Sequence, residues 1–141
     1  DEPIVVKADG ARSRLLKAPG DHEPQIPASA DTVVPVASVH AVGEPLSDEH
    51  VHRVGRVAAL TGRNPGEELR VGDLATVLAS DRGGLKRVPD GATAVPLLNM
   101  ADDKPLAATA REVATTVHDR ADVTRVVLAE MRSADPVVDV V

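Results

Sequence analysis

The chain has 141 residues, 16 Lys and Arg against 22 Asp and Glu, and a formal net charge of -6, so it lacks the basic excess needed to neutralise a phosphate backbone. It contains no aromatic residue and no Cys, which removes base-stacking platforms, disulfides, thiolate metal sites and Cys nucleophiles. No run approaches the roughly 18 apolar residues of a membrane span and no basic leader pattern opens the chain, so the expectation is one soluble, cytoplasmic domain over residues 1–141, with neither nucleic acid nor membrane as partner.

Hydrophobic residues make up 43% of the chain and all are aliphatic or Met, so the core must be assembled from many small contributions. In chain order, Pro3 to Ala8 is a β-branched run that ends at Asp9-Gly10 and predicts a buried strand entering a turn. Pro19, Gly20, Pro24 and Pro27 exclude a regular helix over Ala18 to Ala28 and mark a long loop. Thr32 to Val36 predicts a second strand that Pro35 shortens or confines to an edge.

From His52 the apolar spacing turns helical, with Val54, Val57, Ala58 and Leu60 on one face and Gly62 placed to end the helix. Leu74, Val77 and Leu78 form another stripe, opened by Asp73, and Gly83-Gly84 and Pro89 mark a loop over Asp81 to Asp90. Ala92 to Leu98 predicts a strand stopping at Asn99. Asp102 or Asp103 can then cap a helix with Pro105 in its first turn and Leu106, Ala110, Val113, Ala114 and Val117 inward. Arg125 to Ala129 is a further strand, and Pro136 to Val141 either adds an edge strand or frays. The alternation predicts an α/β fold: a mostly parallel sheet flanked by helices.

Three constellations could carry chemistry. Asn99-Met100-Ala101-Asp102 directly follows an apolar strand, the N-x-x-D layout in which an Asp carboxylate accepts from the N1 and N2 donors of guanine while Asn steadies the loop. Helix capping is the alternative role for Asp102. Asp9, at the end of the first run, is placed like an acid that holds Mg²⁺ beside nucleotide phosphates, or else is a turn aspartate before glycine. His50 and His52, with Asp48, Glu49, His22 and Glu23 near in sequence, could furnish an N/O metal site or a solvated helix entry. None of the serines sits in G-x-S-x-G. A P-loop needs Gly before its Lys, and Lys7, Lys17, Lys86 and Lys104 follow Val6, Leu16, Leu85 and Asp103, so this chain holds no P-loop.

Taken together, several segments resemble one family in order along nearly the whole chain. They are Ala8-Asp9-Gly10-Ala11, Lys17-Ala18-Pro19 with His22-Glu23-Pro24 and Ile26-Pro27, Gly43 with Pro45-Leu46, His50 to Arg53, Ala59 to Gly62, Gly83 to Lys86, and Asn99 to Asp102. The resemblance is to the selenium-dependent hydroxylase accessory protein (YqeC) family, in which a P-loop half precedes the E-A-D-G segment. It implies a P-loop-NTPase-like architecture of which this chain is the C-terminal part, binding GTP or another nucleotide with Mg²⁺ when complete. The implied partners are a molybdenum hydroxylase or its maturation factors. Carried over by residue, Asp9 is the Mg²⁺-side carboxylate and Asn99 and Asp102 read the base. Lys17, His22 and Glu23 belong to the long loop near phosphates or a partner, and His52 and Arg53 serve the site or helix packing. Lys7 stands where the family usually has Glu, and Met100 where it usually has Lys.

Three functions therefore compete: a guanine-nucleotide-binding accessory protein, a partner-binding protein with a vestigial nucleotide site, and a metal-dependent enzyme using His50 and His52. The first carries triphosphatase activity only when complete, and this chain alone is not expected to be catalytic.

Overall fold

A computed structural model describes residues 2–141. Its strands are β1 (Leu16–Lys17), β2 (Thr32–Val33), β3 (Val36–Ser38), β4 (Val51–His52), β5 (Thr93–Ala94), β6 (Leu97–Asn99), β7 (Val127–Ala129) and β8 (Val137–Val140). Three helices, α1 (Val54–Thr61), α2 (Val71–Ala79) and α3 (Lys104–Arg120), and a 3-10 turn at Val39–Ala41 complete the described elements.

The strands form three ladders: β1-β4, β2-β5 and β3-β6-β7-β8. All pairs are parallel except β7 with β8, so the fold is α/β with mostly parallel pairing. Proline explains the fragmentation. Pro35 splits the expected Thr32–Val36 strand into β2 and β3, and Pro96 splits its neighbour into β5 and β6, because neither ring nitrogen can donate to a ladder. Pairing nevertheless runs through the break: Val95 N–H donates to the Val33 carbonyl at 2.9 Å and Leu97 N–H to the Pro35 carbonyl at 2.8 Å. A single bond, Ser38 N–H to the Leu15 carbonyl at 2.9 Å, ties the β1-β4 ladder to β3.

The N-terminal run departs from expectation. Pro3 to Ala8 has no strand partner, and Ile4 and Val5 are 89% and 93% exposed. A β-branched run records a preference for extended backbone, but burial requires a neighbouring strand, and no described strand pairs with this one.

The helices match the apolar spacing. Gly62 closes α1 with φ 76°, the left-handed conformation that glycine adopts without strain. Asp73 Oδ2 accepts the Arg70 N–H at 2.8 Å at the start of α2 and also pairs with Arg63 at 2.9 Å. At α3 the capping ambiguity resolves: Asp103 accepts the Leu106 N–H at 2.9 Å, and Asp102 is outside the helix. α2 and α3 pack on each other, α2 also touching β3 and α3 touching β7 and the 3-10 turn. Their interface is aliphatic, with Leu74, Val77 and Leu78 facing a core that includes Ala110, Val113, Ala114 and Val117. Burial of each such Leu or Val contributes roughly 1.5–3 kcal/mol. No described helix is long and apolar enough to cross a membrane.

After α2 the chain folds back so closely that a Cβ on Gly83 would lie 2.2 Å from the Val77 carbonyl oxygen, and one on Gly84 2.5 Å from that of Leu78. Gly55, in α1, has open space around its Cβ position. Gly83→Ala is therefore expected to lower stability by about 1–3 kcal/mol or more through forced backbone displacement, and Gly55→Ala to raise it by about 0.4–1 kcal/mol. Urea midpoints at unchanged m-value check both; equal midpoints for the two variants would refute the packing account.

Candidate functional site

Parallel strands deliver their C-terminal ends to one edge, where open α/β sheets place ligands. Here β3 ends at Ser38, paired with Asn99 at the end of β6. Beyond them the 3-10 turn carries His40 and the β6 loop carries Met100 and Asp102. Met100 has φ 64°, unusual for a residue other than glycine.

The Asn99 carboxamide oxygen accepts the Met131 N–H at 3.3 Å, bracing the β6 loop against the segment after β7. Asp102 Oδ2 lies 3.1 Å from His40 Nε2, with both side chains about two-fifths exposed. Asn99 and Asp102 share a pocket of about 120 Å³ with Met100, Glu130, Met131 and Arg132. That is comparable with the roughly 150 Å³ cavity that takes benzene in an engineered core. Asn99 and Met100 also border a second cleft of about 1390 Å³, reached by Asp9, Lys17, Pro19 and Pro24 on its far side.

Ser38 is the residue that sequence reasoning passed over, having weighed it only as a nucleophile. Its buried Oγ accepts the His40 N–H at 3.2 Å and donates to Met100 Sδ at 3.0 Å. One side chain thus ties the His40 turn to the β6 loop that carries both base-reading candidates. A Ser that ends an apolar strand and immediately precedes a turn is a recognisable capping signal in the sequence.

Asp9 is bonded to the Lys17 ammonium, and both side chains are mostly buried. Mg²⁺ requires several oxygen donors, and among the described residues no group of three or more His, Asp or Glu converges on one point. Asp9 would have to release Lys17 before it could ligate an ion, so the present donor set does not fit Mg²⁺. His50 and His52 also part company: His50 Nε2 pairs with Glu44 at 3.1 Å and Glu49 at 3.8 Å, whereas Arg53 and Arg12 are among the charges around His52.

The long loop is gripped by cations. Arg53 NH1 bonds Glu23 at 2.8 Å and the Ala18 carbonyl at 3.2 Å, and Arg56 pairs with Asp21 at 2.7 Å. From the opposite side Lys86 reaches the Gly20 carbonyl at 2.6 Å and Arg87 that of Asp21 at 2.8 Å. Glu23 also accepts the Gly20 N–H at 3.1 Å. That hydrogen bond first, then Arg53, holds its carboxyl below the ordinary 4.5 against the cost of desolvation. Partial burial, followed by Arg53 and Arg12, pushes the His52 imidazole below its ordinary 6.5. His22 contributes its carbonyl, which accepts from the Gln25 side chain.

The family described as "YqeC protein" matches residues 1–55. An Escherichia coli (strain K12) protein described as "Uncharacterized protein YqeC" is 40% identical over 96 residues, 68% of this chain and 38% of that protein. The chain thus spans well under half the length of this curated relative. No solved structure matches.

The lowered His52 value sets a pH dependence. As pH falls through 6.5 the unfolded chain takes up this proton before the folded one, so the stability present above 6.5 is lost below it. Glu23 acts in a lower window, its contribution being retained above 4.5 and lost beneath. His52→Gln is expected to flatten the fall of the urea midpoint between about pH 7.5 and about pH 5.5, leaving the loss below about pH 4.5 in place. An unchanged slope in the upper window would exclude His52 as its source.

Proposed function

The chain belongs to the YqeC family, and from that premise we propose that it supplies the guanine-recognition part of an NTPase-like accessory protein. The client class, a selenium-dependent molybdenum hydroxylase or its maturation factors, follows from the family resemblance. The observation that carries the base-reading role is the release of Asp102 from capping. Asp103 holds the helix start, so the Asp102 carboxylate, with His40 Nε2 at 3.1 Å, borders the small pocket that Asn99 also lines. A carboxylate only accepts, and it complements the paired N1 and N2 donors of guanine. Asn99, braced by Met131, fixes the loop from which Asp102 projects.

The partner-binding alternative, with a vestigial nucleotide site, draws on two observations. Lys17 already neutralises Asp9, and Met100 Sδ is engaged by Ser38, where the family usually presents a lysine. Both readings share the surface but differ in whether a base is discriminated.

Without a P-loop the chain is expected to hold GTP weakly, within reach of NMR shift titration. Asp102→Asn replaces an acceptor by a donor-bearing amide that suits the oxygen at position 2 of xanthine. Each unpaired buried group is worth roughly 1–3 kcal/mol, so the GTP to XTP preference should move toward XTP by at least about tenfold. An unchanged ratio in competition titrations would remove Asp102 from base reading and favour the partner-binding alternative.

A further inference from the structure

We infer that the Ala18–Pro24 loop and the cations around it form an oxyanion site for a phosphate-bearing small molecule, with the Glu23 carboxylate as its internal occupant. In a chain of net charge -6, four cations converge on this one loop. Arg53, Arg56, Lys86 and Arg87 face two carboxylates, Asp21 and Glu23, so four positive charges minus two negative leave an excess of two. The excess sits on Lys86 and Arg87. Among the described residues neither has a carboxylate within 4.0 Å, and their hydrogen bonds run to the carbonyls of Gly20, Asp21 and Pro24. A carbonyl satisfies a donor but leaves the formal charge uncompensated.

Glu23 marks where an anion rests. Its carboxylate takes the Gly20 N–H at 3.1 Å and one Arg53 guanidinium nitrogen at 2.8 Å, a main-chain amide plus a cationic donor, which is a donor pair that an oxyanion can use. Lys86 touches the same Gly20 residue through its carbonyl. The Arg53 guanidinium lies close against the main chain here: a Cβ on Gly20 would stand 3.2 Å from three of its atoms, so a larger residue would push it aside by a few tenths of an ångström. A tetrahedral dianion displacing Glu23 would keep both of its donors on a loop whose carbonyls already hold the uncompensated charges of Lys86 and Arg87. Pro19 and Pro24, at the two ends of the same loop, line the wide cleft that Asn99 also borders. The inference does not depend on guanine being read at Asp102.

The test is titration of the whole chain with inorganic phosphate and with pyrophosphate, followed by amide NMR shifts and thermal denaturation against sodium chloride of equal ionic strength. Saturable shifts centred on the Gly20 amide are expected, tighter for pyrophosphate. Lys86→Gln with Arg87→Gln should weaken the affinity at least tenfold, Glu23→Gln should strengthen it at least threefold, and Arg125→Gln, an exposed cation elsewhere, should leave it unchanged. Shifts matched by chloride, or wild-type affinity in a folded Lys86→Gln/Arg87→Gln protein, would overturn the site. Should that double variant fail to fold, Glu23→Gln decides alone: no gain in affinity means that Glu23 is not a displaceable occupant.

Discussion

The arrangement of the candidate site depends on Ser38 more than on any other residue. Its N–H makes the one bond that ties the β1-β4 ladder to the main sheet, and its Oγ holds the His40 turn and the Met100 loop at once. Lys17 and His52 lie on the first ladder and Asn99 on the main sheet, so the spacing between the cation-bound loop and the Asn99–Asp102 loop is set through this junction. A group making three bonds in a buried place leaves little freedom for the elements it joins, because each lost partner would strand a polar atom away from water. Removing the hydroxyl alone would uncouple two loops without touching a ladder.

The second constraint is the absence of rings. Leu and Val supply all the large core side chains, so depth of burial has to come from close approach of backbone to backbone. Gly83 and Gly84 against the end of α2 are the clearest case, since neither position has room for a methyl group. That contact also bears on the proposed oxyanion loop. It fixes the start of the segment from which Lys86 and Arg87 reach the long loop, so tight aliphatic packing behind the loop and the charge in front of it are two consequences of one turn.

How much of this was legible in the sequence varies by element, for physical reasons. α3 was plain because Pro105, an acidic cap and an apolar stripe agree, and periodicity reports burial well in a helix whose stripe meets a single partner. The proline breaks were half legible: Pro35 signalled interruption, but the matching break at Pro96 became meaningful only when the two strands proved to be neighbours. β1 and β4, two residues each, have no periodicity to detect. The Ile4-Val5-Val6 run failed in the opposite way, with strong local preference and no partner. At the site, Asn99 and Asp102 were visible as a motif, whereas the choice between Asp102 and Asp103 as cap turned on backbone geometry that one sequence cannot rank. Arg53, Lys86 and Arg87 act together across more than thirty positions, a convergence that belongs to the fold alone.

Backbone strain follows the same map. Among the described residues, five other than glycine have positive φ: Arg12, Ser13, Arg53, Arg87 and Met100. Two of them carry cations of the long loop and a third lies between Asn99 and Asp102. Such conformations cost of order 1–3 kcal/mol each and persist only where surrounding contacts over-determine them. At Arg53 those contacts are Glu23 and the Ala18 carbonyl, at Arg87 the carbonyls of Asp21 and Pro24, and at Met100 the Ser38 hydroxyl. In each case the contact that offsets the strain is also the one that aims a charged or polar group at the loop or pocket. Three of the five strained residues thus lie at the two candidate surfaces, while Arg12 and Ser13 lie in the turn before β1.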